Sequence, residues 1–244
     1  YPDQFSDELL EIIAREPKIV KYLDMPIQHT STRVLASMNR RLTKEKLFEV
    51  VTKLRARIPG IVFRTSIIVG FPGETDDEFD ELYQDLATLK LDHVGVFRYS
   101  REEGTKAAEM PGQIHPSTKR ARAKKLIGML QKQSASNNER YVGHLVEVMI
   151  EGPSQESELL LQGRMATQAQ EIDGHVLLND LGETPVELSA GDLIEVLITE
   201  AMPHDLVGRM TRILSRASLS DSIVPSPGLR SVPALERILG AGLA

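Results

Sequence analysis

Hydrophobic positions change their spacing along this chain, and each change marks an element. Leu9, Leu10, Ile12 and Ile13 recur at helical spacing between Ser6 and Pro17, which predicts a short helix capped by the serine and stopped by the proline. Residues 19–25 read as a strand, followed by the loop Pro26-Ile27-Gln28-His29-Thr30. Ser31 can cap a helical stretch through Val34, Leu35 and Met38, and Thr43 a longer one carrying Leu47, Val50, Val51 and Leu54. After the Pro59-Gly60 turn, the strand over 61–69 ends in Ile67-Ile68-Val69, an apolar run that suits a parallel strand buried on both faces. Pro72-Gly73 is a turn pair, and Thr75 with Glu78 makes a capping box for a helix over 76–89. A strand at 93–99 follows. This alternation is a βα repeat built on a parallel sheet.

The loop 100–115 is polar and long enough to be functional rather than a minimal connection. A long helix over 117–139 opens with Lys119, Arg120, Arg122, Lys124 and Lys125, which is either a solvated face or a contact for nucleic acid or an acidic partner. From Val142 short alternating runs appear at 145–150, 159–161, 175–178 and 193–198, separated by turns such as Asp173-Gly174 and Ala190-Gly191-Asp192. Short strands at this interval predict a small antiparallel β-barrel. The Ser-, Pro-, Leu- and Gly-rich stretch from Ser215 is expected to be a mobile linker with a short helix around 235–239. The expected division is therefore 1–140, 141–214 and 215–244.

Composition sharpens this picture in two places. There is no cysteine, which excludes disulfides, thiolate zinc sites and an iron–sulfur cluster held by these residues alone. Charge is unevenly spread: residues 141–214 carry 3 Lys+Arg (Arg164, Arg209, Arg212) against 13 Asp+Glu, within a chain of net charge −6. An acidic module is a poor match to nucleic-acid phosphates and a better one to a basic partner. No apolar run approaches a membrane span and no signal pattern opens the chain, so a cytoplasmic location is expected. The chain opens at Tyr1 in mid-pattern and reads as a piece of something longer.

Ligands of parallel α/β proteins sit where strand C-termini meet the following loops, and Gly70 at such a point lets a flat ligand approach the backbone. Four ordered blocks in and around that region resemble the radical S-adenosylmethionine methylthiotransferases: Tyr22-Leu23-Asp24-Met25-Pro26-Ile27-Gln28-His29, Met38-Asn39-Arg40-Arg41, residues 67–75 (Ile67 through Gly70-Phe71-Pro72-Gly73-Glu74-Thr75), and Phe97-Arg98-Tyr99-Ser100. The second module resembles that family's TRAM domain, with residues 170–174 and the closing Asp205-Leu206-Val207-Gly208 as landmarks. The resemblance runs to about residue 214. It implies an α/β fold, the C-terminal half of a parallel (βα) radical SAM barrel followed by an OB-like TRAM barrel.

Family members carry an upstream Cys-x3-Cys-x2-Cys for the 4Fe–4S cluster that binds S-adenosylmethionine, and an N-terminal domain whose three cysteines hold a second cluster. Neither is present, so the chain is expected to be inactive alone and to partner the missing N-terminal half. The resemblance implies S-adenosylmethionine as cofactor. Ile68 and Gly70 are expected to lie against its adenine, Phe97 and Tyr99 to form an aromatic wall, and Gln28 to meet ribose hydroxyls. Arg40 or Arg64 is expected to hold a carboxylate. Phe97 and Ile68 suit the core equally well, and Arg40 equally suits the C-terminal end of a helix. His29 reads as structural, and Glu74 as completing the turn.

Two features point to the RimO branch, which acts on an aspartate of small-subunit ribosomal protein twelve. The tRNA-modifying branch typically reads Pro-Val-Gln-Ser-Gly-Ser where this chain has Pro26-Ile27-Gln28-His29-Thr30-Ser31, and the second module is acidic. The expected partner is a basic ribosomal protein, with neither tRNA nor membrane. The competing readings are the tRNA adenosine enzyme and a non-catalytic TRAM-containing adaptor.

Overall fold

A computed structural model describes residues 5–154, 160–181 and 187–217. The first part begins with α1 (Asp7–Arg15), capped by Ser6, and β1 (Tyr22–Asp24). Then come α2 (Thr32–Ser37), α3 (Lys44–Arg57), β2 (Val62–Val69), α4 (Asp76–Leu89) and β3 (His93–Arg98). The three strands form one parallel sheet in the order β1-β2-β3. Ser31, Thr43 and Thr75 each accept an N–H of the helix they precede, and Thr75 with Glu78 completes the capping box. A short helix, α5 (Lys106–Glu109), interrupts the loop 100–115, and α6 (Pro116–Asn138) runs back along the sheet.

Two expectations for this part are corrected. The run ending β2 is not buried on both faces: Phe63, Thr65, Ile67 and Val69 are buried, whereas Arg64, Ser66 and Ile68 are only partly covered. Helices cover one face, where Leu47, Val51, Leu54, Leu82, Leu86 and Leu126 meet β2. The other face, which carries Arg64, Ser66 and Ile68 beside His93, Gly95 and Phe97, is open. The first strand spans only Tyr22–Asp24, because among the described strands none pairs with Ile19 and Val20, which lie at the surface, 36% and 50% exposed.

From Leu145 the chain forms a closed barrel, β4 (Leu145–Pro153), β5 (Leu161–Arg164), β6 (Val176–Asp180), β7 (Leu193–Ala201) and β8 (Leu206–Ser215), in the order β4-β5-β6-β8-β7. Four pairings are antiparallel and β6–β8 is parallel. Five strands closed in a ring cannot all alternate in direction, so one parallel pair is a consequence of the odd number. Val148, Ile150, Val176, Ile194, Val196 and Ile198 fill its interior. The strand that closes it, β8, follows the landmark at Asp205. Beyond Ser215, Arg216 and the Ala217 N–H bind the Asp192 carboxylate at 2.8 Å each. The helix expected around 235–239 lies outside the described residues.

Candidate functional site

β2 ends at Val69, and Gly70 (φ 76°) turns the chain into Phe71-Pro72-Gly73. The turn is anchored from within. Glu74, whose side chain is fully buried, accepts the Gly70 N–H at 2.7 Å and the Phe71 N–H at 3.3 Å, and pairs with Arg122 of α6 at 2.7 Å. Burial raises the Glu74 carboxyl above its ordinary value, while Arg122 and the two N–H donors favour its charged form. Arg122 reaches on to Asp76 at 2.6 Å. His29 lies behind the same loop, its Nδ1 accepting the Ser31 N–H at 2.9 Å and its Nε2 standing 3.8 Å from Glu74. Burial pushes its pKa down to about 4, so the ring is neutral and carries its proton on Nε2.

A recess of about 550 Å³ opens at the C-terminal ends of β2 and β3. It brings together Gln28, Arg40, Ile68, Phe97 and Tyr99, from four separate segments. Gln28 holds a left-handed backbone (φ 76°), pinned on both sides as its N–H donates to Ser66 and its carbonyl accepts from Ile68, each at 2.8 Å. Arg40 follows Asn39, itself left-handed at the end of α2, and donates to the Pro26 carbonyl at 2.9 Å. Phe97 is 54% exposed, an apolar ring with one side uncovered. Tyr99 packs edge-on against Phe71, and its hydroxyl is buried without a hydrogen-bond partner.

Two of the expected residues lie elsewhere. Gly70 does not open on the recess: a Cβ there would meet Lys119 Cγ at 2.5 Å, so the space its missing side chain leaves is filled by α6. Lys119 in turn donates to the Tyr99 carbonyl at 3.0 Å, with its Nζ 4.6 Å from the Tyr99 ring centroid. Arg64 shares the open face with Ile68 but sits four residues earlier, roughly 13 Å along the strand. It pairs with Asp24 at 2.6 Å and faces Asp173 of the second barrel at 3.8 Å.

Sequence reasoning missed Lys119 and Arg122 as parts of this site, treating the basic start of α6 as one run. A signal was present. Arg122, Leu126 and Leu130 recur at intervals of four and are buried together, which sets Arg122 on the inward face of the helix.

Residues 2–86 match the Radical SAM superfamily and residues 142–211 the TRAM domain. Among similar curated proteins is the ribosomal protein uS12 methylthiotransferase RimO of Desulfotalea psychrophila, 43% identical over 87% of this chain and 47% of that protein. Those of Geobacter sulfurreducens and Trichlorobacter lovleyi are 45% and 47% identical, each over 86% of this chain and 46% of theirs. The chain thus spans about half the length of the curated relatives it matches. A solved structure, coproporphyrinogen III oxidase of Escherichia coli, superposes with a TM-score of 0.47 at 15% identity over 68% of this chain and 43% of its own.

Proposed function

This chain belongs to the radical S-adenosylmethionine methylthiotransferases, and we propose that it is the cofactor-binding wall and TRAM module of an enzyme that adds a methylthio group to the β-carbon of an aspartate in a small-subunit ribosomal protein. The observation that carries the reading is the convergence of Gln28, Arg40, Ile68, Phe97 and Tyr99 on one recess at the strand C-termini. Their chemistry fits S-adenosylmethionine. The exposed Phe97 ring and Ile68 offer a flat apolar surface for adenine, and Gln28 offers both donor and acceptor to ribose hydroxyls. Arg40 supplies a guanidinium for the methionyl carboxylate. Gly70 acts at one remove, by admitting Lys119 behind Tyr99.

S-adenosylmethionine held at this recess, with a 4Fe–4S cluster held by residues outside this chain, would supply radical chemistry at an unactivated carbon. The residues of this chain do not fit the cluster, since there is no cysteine to hold it. They bind and orient the cofactor and exclude water from it. The acidic second barrel suits a basic ribosomal protein as partner, with the RimO relatives naming uS12 as theirs. A cytoplasmic location goes with that substrate, and among the described residues no helix is long and apolar enough to cross a membrane.

The test is genetic complementation. The complete reading frame, with this segment intact, is expressed in a bacterium lacking the uS12-modifying enzyme, and the mass of uS12 is measured. An increment of one methylthio group is expected. The same increment on a tRNA adenosine, with uS12 unmodified, overturns the assignment.

A further inference from the structure

Among the described residues, polar contacts join the barrel over 145–215 to the first part at two places, with a cleft of about 380 Å³ between them. One place is the covalent connection. Arg140 binds Asp92 at 2.9 Å, Asn138 donates to the Met202 carbonyl at 2.9 Å, and the Gly143 N–H donates to Ile198 at 2.9 Å. The other place, across the cleft, is a single side chain. Asp173 accepts the Tyr22 hydroxyl at 2.6 Å and lies 3.8 Å from both Arg64 Nε and His93 Nδ1. These three residues come from the starts of β1, β2 and β3, so one carboxylate meets all three strands of the sheet. Its side chain is only 4% exposed.

The loop that carries Asp173 is built for this reach. Asp173 Oδ2 also accepts the Ala169 N–H at 2.9 Å, which fixes the side chain from its own barrel. Gly174 passes so close to the hairpin between β7 and β8 that a Cβ would lie 1.6 Å from the His204 carbonyl oxygen, so no other residue fits without moving the backbone. His175 follows, its N–H on Asp205 at 2.7 Å. The hydrophobic cores of the two parts share no residue. Orientation is therefore not set by core packing.

We infer that Asp173 is a positioning residue: it latches the TRAM barrel to the open face of the sheet, opposite a hinge at 138–143, and so fixes where the barrel stands relative to the recess. The recess lies further along β2, at Ile68, four residues or about 13 Å from Arg64, so a rotation at the hinge moves the barrel away from it. Charge makes the latch firm. A carboxylate accepting a hydroxyl in a partly buried site, with a guanidinium beside it, is stronger than an exposed ion pair. The inference concerns this chain's own two parts and does not depend on the proposed reaction.

The absence of cysteine permits a direct test. Spin labels are placed through Glu103→Cys on the first part and Glu147→Cys on the barrel. The labelled chain is diluted into an excess of unlabelled chain so that only distances within one molecule are read, and the distance distribution is measured by pulsed electron resonance. With the latch intact one narrow distance is expected. Tyr22→Phe and Asp173→Ala are each expected to lower the docked-to-undocked ratio by about tenfold or more, the loss expected for a hydrogen bond to a charged group. The double variant should be no looser than Asp173→Ala. Tyr22→Phe leaves the barrel untouched, so it remains informative if the Asp173 variant disturbs its own loop. A distribution as narrow in both variants as in the parent overturns the inference, as does a broad distribution in the parent.

Discussion

Single residues at this site divide into those that hold the fold and those that line the recess, and the two kinds respond differently to substitution. Gln28 carries a left-handed backbone that costs a non-glycine residue roughly 1 kcal/mol. Its side chain lines the recess, and on the proposed function the strain is kept for the ligand. Gln28→Gly is expected to raise stability by about 1 kcal/mol in urea denaturation while weakening S-adenosylmethionine binding by the reconstituted full-length enzyme. Equal or lower stability would place the side chain's value in the fold. His29 shows the opposite case. Its folded pKa of about 4 lies below the ordinary value of 6.5, so between these limits the unfolded chain binds the proton more readily. Stability from this group is present above pH 6.5 and lost as the pH falls towards 4, by about 2 kcal/mol at pH 5. Urea titrations at pH 7 and pH 5 should show the loss, and His29→Asn should flatten it. An unchanged pH dependence in the variant would mean that other groups carry it. Glu78 adds to acid lability lower down. Burial opposes its charge, but Arg33, the Thr75 N–H and Ser31 hold its carboxyl at about 2.

Elements were more legible in the sequence than the contacts between them, and the reason lies in what periodicity encodes. Ser6, Ser31, Thr43 and Thr75 marked helix starts because a cap is a local hydrogen bond within three residues. The depth of β2 was overestimated because Ile68 looks the same in sequence whether its face is covered or open. Gln28, Ile68, Phe97 and Tyr99 could be placed at strand ends from the blocks they sit in. That Arg64 belongs to the other end of the sheet depended on β-strand rise and on a partner, Asp173, 109 positions later. The same holds for α6, which is tied to the turn after β2 by Arg122. Buried and paired with Glu74 at 2.7 Å, this arginine cannot leave without stranding a carboxylate. Arg122→Ala is expected to cost about 3–5 kcal/mol, measured by denaturant unfolding. Arg122→Met combined with Glu74→Gln should cost clearly less than the sum of the two single changes, because neither charge is then left alone. Additive losses would show that the pair is not coupled.

At the scale of the whole molecule, the two parts have unequal claims to independence. The second barrel closes on itself, so each strand has two neighbours and its apolar residues point inward. In the first part, β1 pairs only with β2 among the described strands, and the sheet leaves one face uncovered. Leu9, Ile12, Ile19 and Val20, each at least 36% exposed, lie on α1 and the segment leading into β1. An unpaired edge beside exposed apolar side chains invites pairing with another chain. The 244-residue chain expressed alone is therefore expected to self-associate in light scattering at micromolar concentration, while residues 141–217 alone stay monomeric. Substituting Ile19 and Val20 by Lys should reduce the association without lowering the melting temperature, because neither side chain is in the core. A monodisperse monomer of the whole chain would show that the open face is tolerated in water, and would favour the adaptor reading over that of an enzyme segment.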